Sequence, residues 1–112
     1  MPTSKVRTYS LISHEAVHLI SNLIKVARKE RQYTAQEVAE RAGISRGLLQ
    51  RIEKGDLKCS IGAVFEVAAI VGVKLFDAEA TTLMKHILHI EEKLALLPKS
   101  VHKRTKVVDD DF

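Results

Sequence analysis

The chain has 112 residues, of which 46% are apolar but only 4% aromatic, and it carries a formal net charge of +4. That length holds one small domain plus tails, with a core built on Leu, Ile, Val and Ala. One cysteine, Cys59, excludes a disulfide framework within the chain, and there is no run of about 20 apolar residues to span a membrane.

The charge is unevenly spread. Residues 1–76 hold twelve Lys and Arg against seven Asp and Glu, residues 77–96 two against four, and residues 97–112 four against three. The basic excess sits in the first two thirds of the chain, as a phosphate-binding surface needs. Apolar residues recur at helical spacing. The only extended candidate, Val71–Phe76, is short, so the expected class is all-α. The N-terminal stretch lacks the apolar core of a signal peptide, and the expected compartment is the cytoplasm.

Residues 1–12 read as an irregular arm, because Pro2, Thr3 and Ser4 discourage helix. Lys5 and Arg7 could touch a DNA backbone, and Tyr9, Leu11 and Ile12 could pack on the domain or a partner. A helix is predicted from His14 to Arg31 with Ser13 as N-cap. Its apolar stripe is Val17, Ile20, Leu23, Ile24 and Ala27, and basic residues load its C-terminal end. His14, Glu15 and His18 spell H-E-x-x-H, which on a helix can place two imidazoles and a glutamate around zinc. With no third ligand at a recognised spacing, the reading is two exposed histidines, and no metal or cofactor is expected.

Thr34 and Glu37 form a capping box that starts the second helix, and Tyr33 with Val38 forms a hydrophobic staple. Gly43 ends that helix. Ser45 caps a third helix at once, with Ile44 and Leu49 as a second staple. At 100° per residue, Leu48, Leu49 and Ile52 fall on one side, and Arg46, Gly47, Gln50, Arg51 and Lys54 on the other. A recognition helix requires this split, since it buries one side and offers polar residues to base edges. Arginine pairs bidentately with guanine and glutamine with adenine, and Gly47 leaves room for close approach.

The run TAQEVAERAGISRGLLQRIEKG, followed by a loop and SIGAVFEVAAIVGV, resembles the phage-repressor-type helix-turn-helix family (XRE, Cro/C1-type) over roughly Leu19 to Phe76. The resemblance implies a five-helix, lambda-repressor-like DNA-binding domain. It implies that Ser45, Arg46, Gly47, Gln50 and Arg51 contact bases and adjacent phosphates, and that Lys54, Lys58 and Ser60 grip phosphate. It also implies an Arg28–Glu53 pair tying the first helix to the third. Many members carry Gln directly after the second helix's cap, where this chain has Ala35. Gln36, one residue out of register, is the remaining candidate for that contact.

A fourth helix is predicted over Ile61–Val71, capped by Ser60 and closed by Gly72, with Val64, Phe65, Val67, Ala68 and Val71 as core. Cys59 reads as a small filler. A fifth helix is predicted from an Asp77 N-cap to about Leu97. Its Ala80, Leu83, Ile87, Ile90, Leu94 and Leu97 form a seam suited to a homodimer, widened by Met84 and Leu88, while His86 and His89 read as solvated. Beyond Pro98 the tail cannot build a core.

The expected organisation is an arm over 1–12, a helix-turn-helix domain over 13–76, a dimerisation helix over 77–97 and a flexible tail over 98–112. The expected function is sequence-specific repression at a palindromic operator in double-stranded DNA. Compactness and the LPK…DDDF tail look like HipB-type antitoxins, which implies a HipA-like serine/threonine kinase toxin as partner and an autoregulated operon. The alternatives are a phage-type or housekeeping repressor without a toxin, and a protein-interaction module with weak DNA binding.

Overall fold

The computed structural model describes residues 8–76, 79–101 and 103. Five helices follow in order: α1 (Leu11–Glu30), α2 (Ala35–Ala42), α3 (Arg46–Glu53), α4 (Ile61–Val71) and α5 (Ala80–Ala95). Among the described residues there is no strand; Val71 closes α4, and residues 73–76 are turn and irregular chain. The chain divides after residue 77 into two units, the first holding α1–α4 and the second α5.

Local chemistry sets each boundary of the first unit. α1 begins earlier than its sequence suggests. Ser10, not Ser13, is the N-cap, and its hydroxyl oxygen accepts from the Ser13 N–H at 3.4 Å. Leu11 and Ile12 therefore belong to the helix and not to an arm, since Pro2 lies too far upstream to interrupt it. Lys5 and Arg7 lie outside the described residues. α2 carries the complete capping box. The Thr34 hydroxyl accepts from the Glu37 N–H at 3.1 Å, and the Glu37 carboxylate accepts from the Thr34 N–H at 2.8 Å. The hydrogen bond from the Thr34 backbone, reinforced by its side chain, holds the Glu37 carboxyl below its ordinary range. Ser45 and Ser60 cap α3 and α4 through their hydroxyls in the same way.

All four helices of this unit close alike. A residue with left-handed backbone follows the helix, and the next N–H reaches back five residues: Tyr33 to Arg28 O, Ile44 to Ala39 O, Asp56 to Arg51 O and Val73 to Ala68 O. At the α2–α3 turn the left-handed residue is Gly43, with φ 67°, so the chain reverses without a Cβ clash and delivers Ser45 directly to its cap. At the α1–α2 turn it is Gln32, with φ 60°. A side chain in that conformation costs about 1–2 kcal/mol.

The core lies where α2 packs on α3 and α4, and α1 on α3 and α4. Ile24, Val38, Leu49, Val67 and Val71 are its largest fully buried side chains, joined by Ala39, Ile52 and Ala68. Each large one contributes about 1.5–3 kcal/mol through removal from water. Tyr33 and Ile44, the outer members of the two staples, are partly buried against it. Two expectations fail here. Leu23 is 44% exposed, because the buried line of α1 runs through Ile24 and Ser21 and turns Leu23 about 100° away from Ile24. Val64 and Phe65 are half-buried instead of central, and the Phe65 ring stacks on that of Phe76 at 5.9 Å.

In the second unit α5 starts at Ala80, not directly after Asp77, which lies outside the described residues. Glu79 is the N-cap and makes no side-chain capping bond. The helix ends at Ala95, two residues before the expected Leu97. All of its residues are exposed, and its apolar side chains keep the 3,4 spacing of the expected seam. Of the predicted tail only residues 98–101 and 103 are described, without regular structure; the aspartates and Phe112 lie outside the described residues.

Because Gln32 occupies a glycine conformation on the surface, Gln32→Gly is expected to stabilise the first unit by about 0.5–1 kcal/mol. A rise in the urea midpoint at unchanged m-value would show it.

Candidate nucleic-acid interface

α3 is only eight residues long, too short to hold itself helical in water, so its packing must fix it. Leu49 and Ile52 are inserted into the core. Two polar ties then set its orientation against α1. The Arg28 guanidinium grips Glu53 with two hydrogen bonds, Nε to Oε2 at 2.7 Å and Nη2 to Oε1 at 2.9 Å, and its Nη1 donates to the Tyr33 carbonyl at 3.0 Å. The pair is largely buried, with 14% and 10% of the side chains exposed. The hydrogen bond that Arg28 donates to Glu53 pushes the Arg28 pKa further up, so its charge is permanent. The second tie is Ser21, which is 2% exposed. Its hydroxyl is shared between the Ile52 carbonyl at 2.7 Å and the Val17 carbonyl at 2.9 Å. Gly55 sits directly against it, where a Cβ would lie 3.5 Å from Ser21 Oγ and 3.9 Å from His18 Cα. The end of α3 thus lies close on α1.

With that side committed, the other side of α3 is open. Arg46, Gly47, Gln50, Arg51 and Lys54 are all exposed and share one face at helical spacing. At Gly47 an added Cβ would meet only Ser45 Oγ, at 3.9 Å, outside its own helix backbone, so the space over this position is open. Ser45 spends its acceptor on the Leu48 N–H at 3.0 Å, which leaves its O–H free to donate to an anion. Ser60 does the same at α4, accepting from the Ala63 N–H at 3.4 Å. Lys54 caps α3, and Lys58 is exposed in the loop that follows.

Two candidate residues are already engaged. Arg51 Nε donates to Asp56 Oδ2 at 2.8 Å, and the other oxygen of Asp56 accepts from the Lys58 N–H at 2.8 Å. The bond from Arg51, and then that from Lys58, holds the Asp56 carboxyl below the usual carboxylate range. Gln36 donates to Glu40 at 3.0 Å along α2. Ala35 is half-buried and packs against the core, so this position is turned inward here.

The remaining candidates form no site. His14, Glu15 and His18 are exposed, as are His86 and His89, and His14 stands edge-on to the Tyr9 ring. Among the described residues no three His, Cys, Asp or Glu side chains could hold a metal ion. Cys59 is half-buried, and burial pushes its thiol pKa up, which suits a packing role. Sequence reasoning missed Ser21, the Arg51–Asp56 pair and the Arg41 guanidinium 4.5 Å over the Tyr33 ring. Only Arg51 and Asp56, five apart across a helix end, had a readable charge signal.

Removing Arg28 leaves a mostly buried carboxylate uncompensated. Arg28→Met is expected to cost about 3–5 kcal/mol, and Arg28→Met with Glu53→Leu to recover most of it. Chemical unfolding of the two variants tests this: equal losses would show that the uncompensated carboxylate is not the source of the cost.

Residues 24–77 match a family model described as Helix-turn-helix. No curated protein matches the chain, and no solved structure matches it. The match begins at Ile24 within α1 and contains α2, the Gly43 turn, α3 and α4. No helix among the described residues is long and apolar enough to cross a membrane. Over residues 24–77, just under half of its length, the chain is similar to an XRE-type helix-turn-helix domain, the kind of domain that DNA-binding transcription regulators carry.

Proposed function

We propose that the chain is a sequence-specific repressor that binds a palindromic operator as a homodimer. The observation that carries this reading is the exposed, basic outer face of α3, held by the Arg28–Glu53 and Ser21 ties. Each copy offers one recognition helix, and a two-fold pair reads half-sites about one helical turn apart. Arg46 and Gln50 supply base discrimination. Ser45, Gly47, Arg51, Lys54, Lys58 and Ser60 flank them as phosphate and close-approach positions, and Gln36 joins from α2. The exposed seam of α5 supplies the dimer contact. Working in the cytoplasm, the repressor needs no cofactor.

The finer reading is an antitoxin that represses its own operon and binds a HipA-like serine/threonine kinase. It is supported by an LPK…DDDF run following an exposed amphipathic helix. Purification with the product of the neighbouring reading frame is the test. A stable complex with a kinase supports the antitoxin reading, and no complex leaves a phage-type or housekeeping repressor. One observation favours a second reading, a protein-interaction module with weak DNA binding: Ala35 stands where many members of the family it resembles carry a bracing Gln, and it is packed inward. The absence of salt-dependent DNA binding would select it.

Two outcomes are expected on DNA. Arg46→Ala should relax operator discrimination and cost about 1–3 kcal/mol, whereas Lys58→Ala should weaken all sequences similarly and reduce the salt slope by about 1. Competition binding at several salt concentrations separates the two. Because Asp56 neutralises Arg51 at the same surface, Asp56→Asn should tighten binding to any duplex about threefold to tenfold at low salt. Fluorescence anisotropy reads this directly, and unchanged affinity would mean that Arg51 does not face the phosphates.

A further inference from the structure

α1 has an apolar line that the core does not use. Ile12, Ala16, Leu19, Leu23 and Val26 follow one another at steps of 4, 3, 4 and 3, about 120° around the helix from the buried line. Ile12 is 74% exposed, Leu19 59% and Val26 54%. Together they form a run of exposed apolar side chains along one face of the helix, and such a patch marks a binding face when it is contiguous and large. The same 3,4 spacing runs along α5 through Ala80, Leu83, Ile87, Ile90 and Leu94, all exposed. From Ile12 to Val26 and from Ala80 to Leu94 the helical rise is the same, about 21 Å.

We infer that the outer line of α1 receives α5 of a second copy, antiparallel, and that the exchange is reciprocal. This rests on reading the chain as a dimer and names the surface that meets the α5 seam. Flanking charge selects the partner and the direction. Set antiparallel with Leu19 opposite Ile87, Ile12 meets Leu94 and Leu23 meets Leu83. Along one border Glu15 then meets Lys93, Asn22 meets His86, and Lys29 meets Glu79. Both ends are opposite charges, and the middle pair can hydrogen-bond. Pairing α5 with itself gives fewer opposite charges. Antiparallel at full overlap, His86 meets Lys93; shifted by one heptad, Glu79 meets Lys93 but Leu94 drops out of the seam; parallel, His86 meets Glu91 while Lys93 meets Pro98 and Glu79 meets Met84. The α5 seam is moreover under three heptads long, which is short for a two-stranded coil on its own. Reciprocal exchange covers both lines of both copies in a closed two-fold interface.

The full chain with Cys59→Ser provides the background for the test. Leu19→Cys and Ile87→Cys, both at exposed positions, are purified separately, mixed and mildly oxidised. A disulfide-linked dimer in the mixture and not in either variant alone is expected. Self-linking of Ile87→Cys would show α5 paired with α5 and overturn the proposal. So would an intrachain disulfide in the double variant, which would show α1 covered by its own α5. In a second experiment Glu15→Lys should weaken self-association about tenfold in sedimentation, and adding Lys93→Glu should restore it; no restoration overturns the pairing. A chain that sediments as a monomer at micromolar concentration defeats the dimer reading itself, while a dimer without the mixed disulfide defeats this interface alone.

Discussion

The Arg28–Glu53 pair is the constraint on which the first unit depends. An eight-residue helix has no stability of its own, and two buried apolar side chains leave it free to roll about its axis. A bidentate guanidinium–carboxylate contact removes that freedom because it fixes two donor–acceptor lines at once. It also links three segments, since the same guanidinium holds the Tyr33 carbonyl at the entry to α2. Ser21 adds a tie at the Ile52 carbonyl, one residue before Glu53. The rotation of α3, and therefore the set of side chains it shows to solvent, is decided by α1.

This division of labour explains the composition of α1. Its buried line carries Ile24 together with Ser21 and Arg28, two polar residues that would be costly in a core if unpaired. Both are paired, and among the described residues no buried side-chain nitrogen or oxygen lacks a partner. The apolar residues that might have filled those places, Leu19, Leu23 and Val26, lie on the outer line instead. The helix serves two surfaces, one gripping α3 and the other open.

Much of the fold was legible in the sequence because its boundaries are written in short-range chemistry. Thr34 with Glu37, Ser45, Ser60, Gly43 and Gly72 each act within four residues, and the bounds of α4 match those read from Ser60 and Gly72. The faces of α3 were legible for the same reason. What was not legible depends on partners distant in sequence or on competition between equivalent signals. Ser10 and Ser13 are both good caps, and no local rule chooses between them. Leu23 and Ser21 both border the stripe of α1, and hydrophobicity favoured the wrong one, because the demand for a donor comes from Ile52, thirty-one residues away. Arg28–Glu53 entered only through resemblance to a family. Arg51 looked like a free cation until the turn after α3 brought Asp56 back to it.

The separation of the two faces of α3 has an evolutionary consequence. Leu49, Ile52 and Glu53 hold the helix, whereas Arg46, Gln50 and Arg51 hold nothing in the core or on α1. Substitutions in the second group leave the core and the contacts to α1 untouched, and only Arg51 gives up a partner, the Asp56 of the following turn. A gene duplicate could change all of these residues in succession while remaining folded at every step. Under the proposed function, new target preferences would then be reachable by single substitutions.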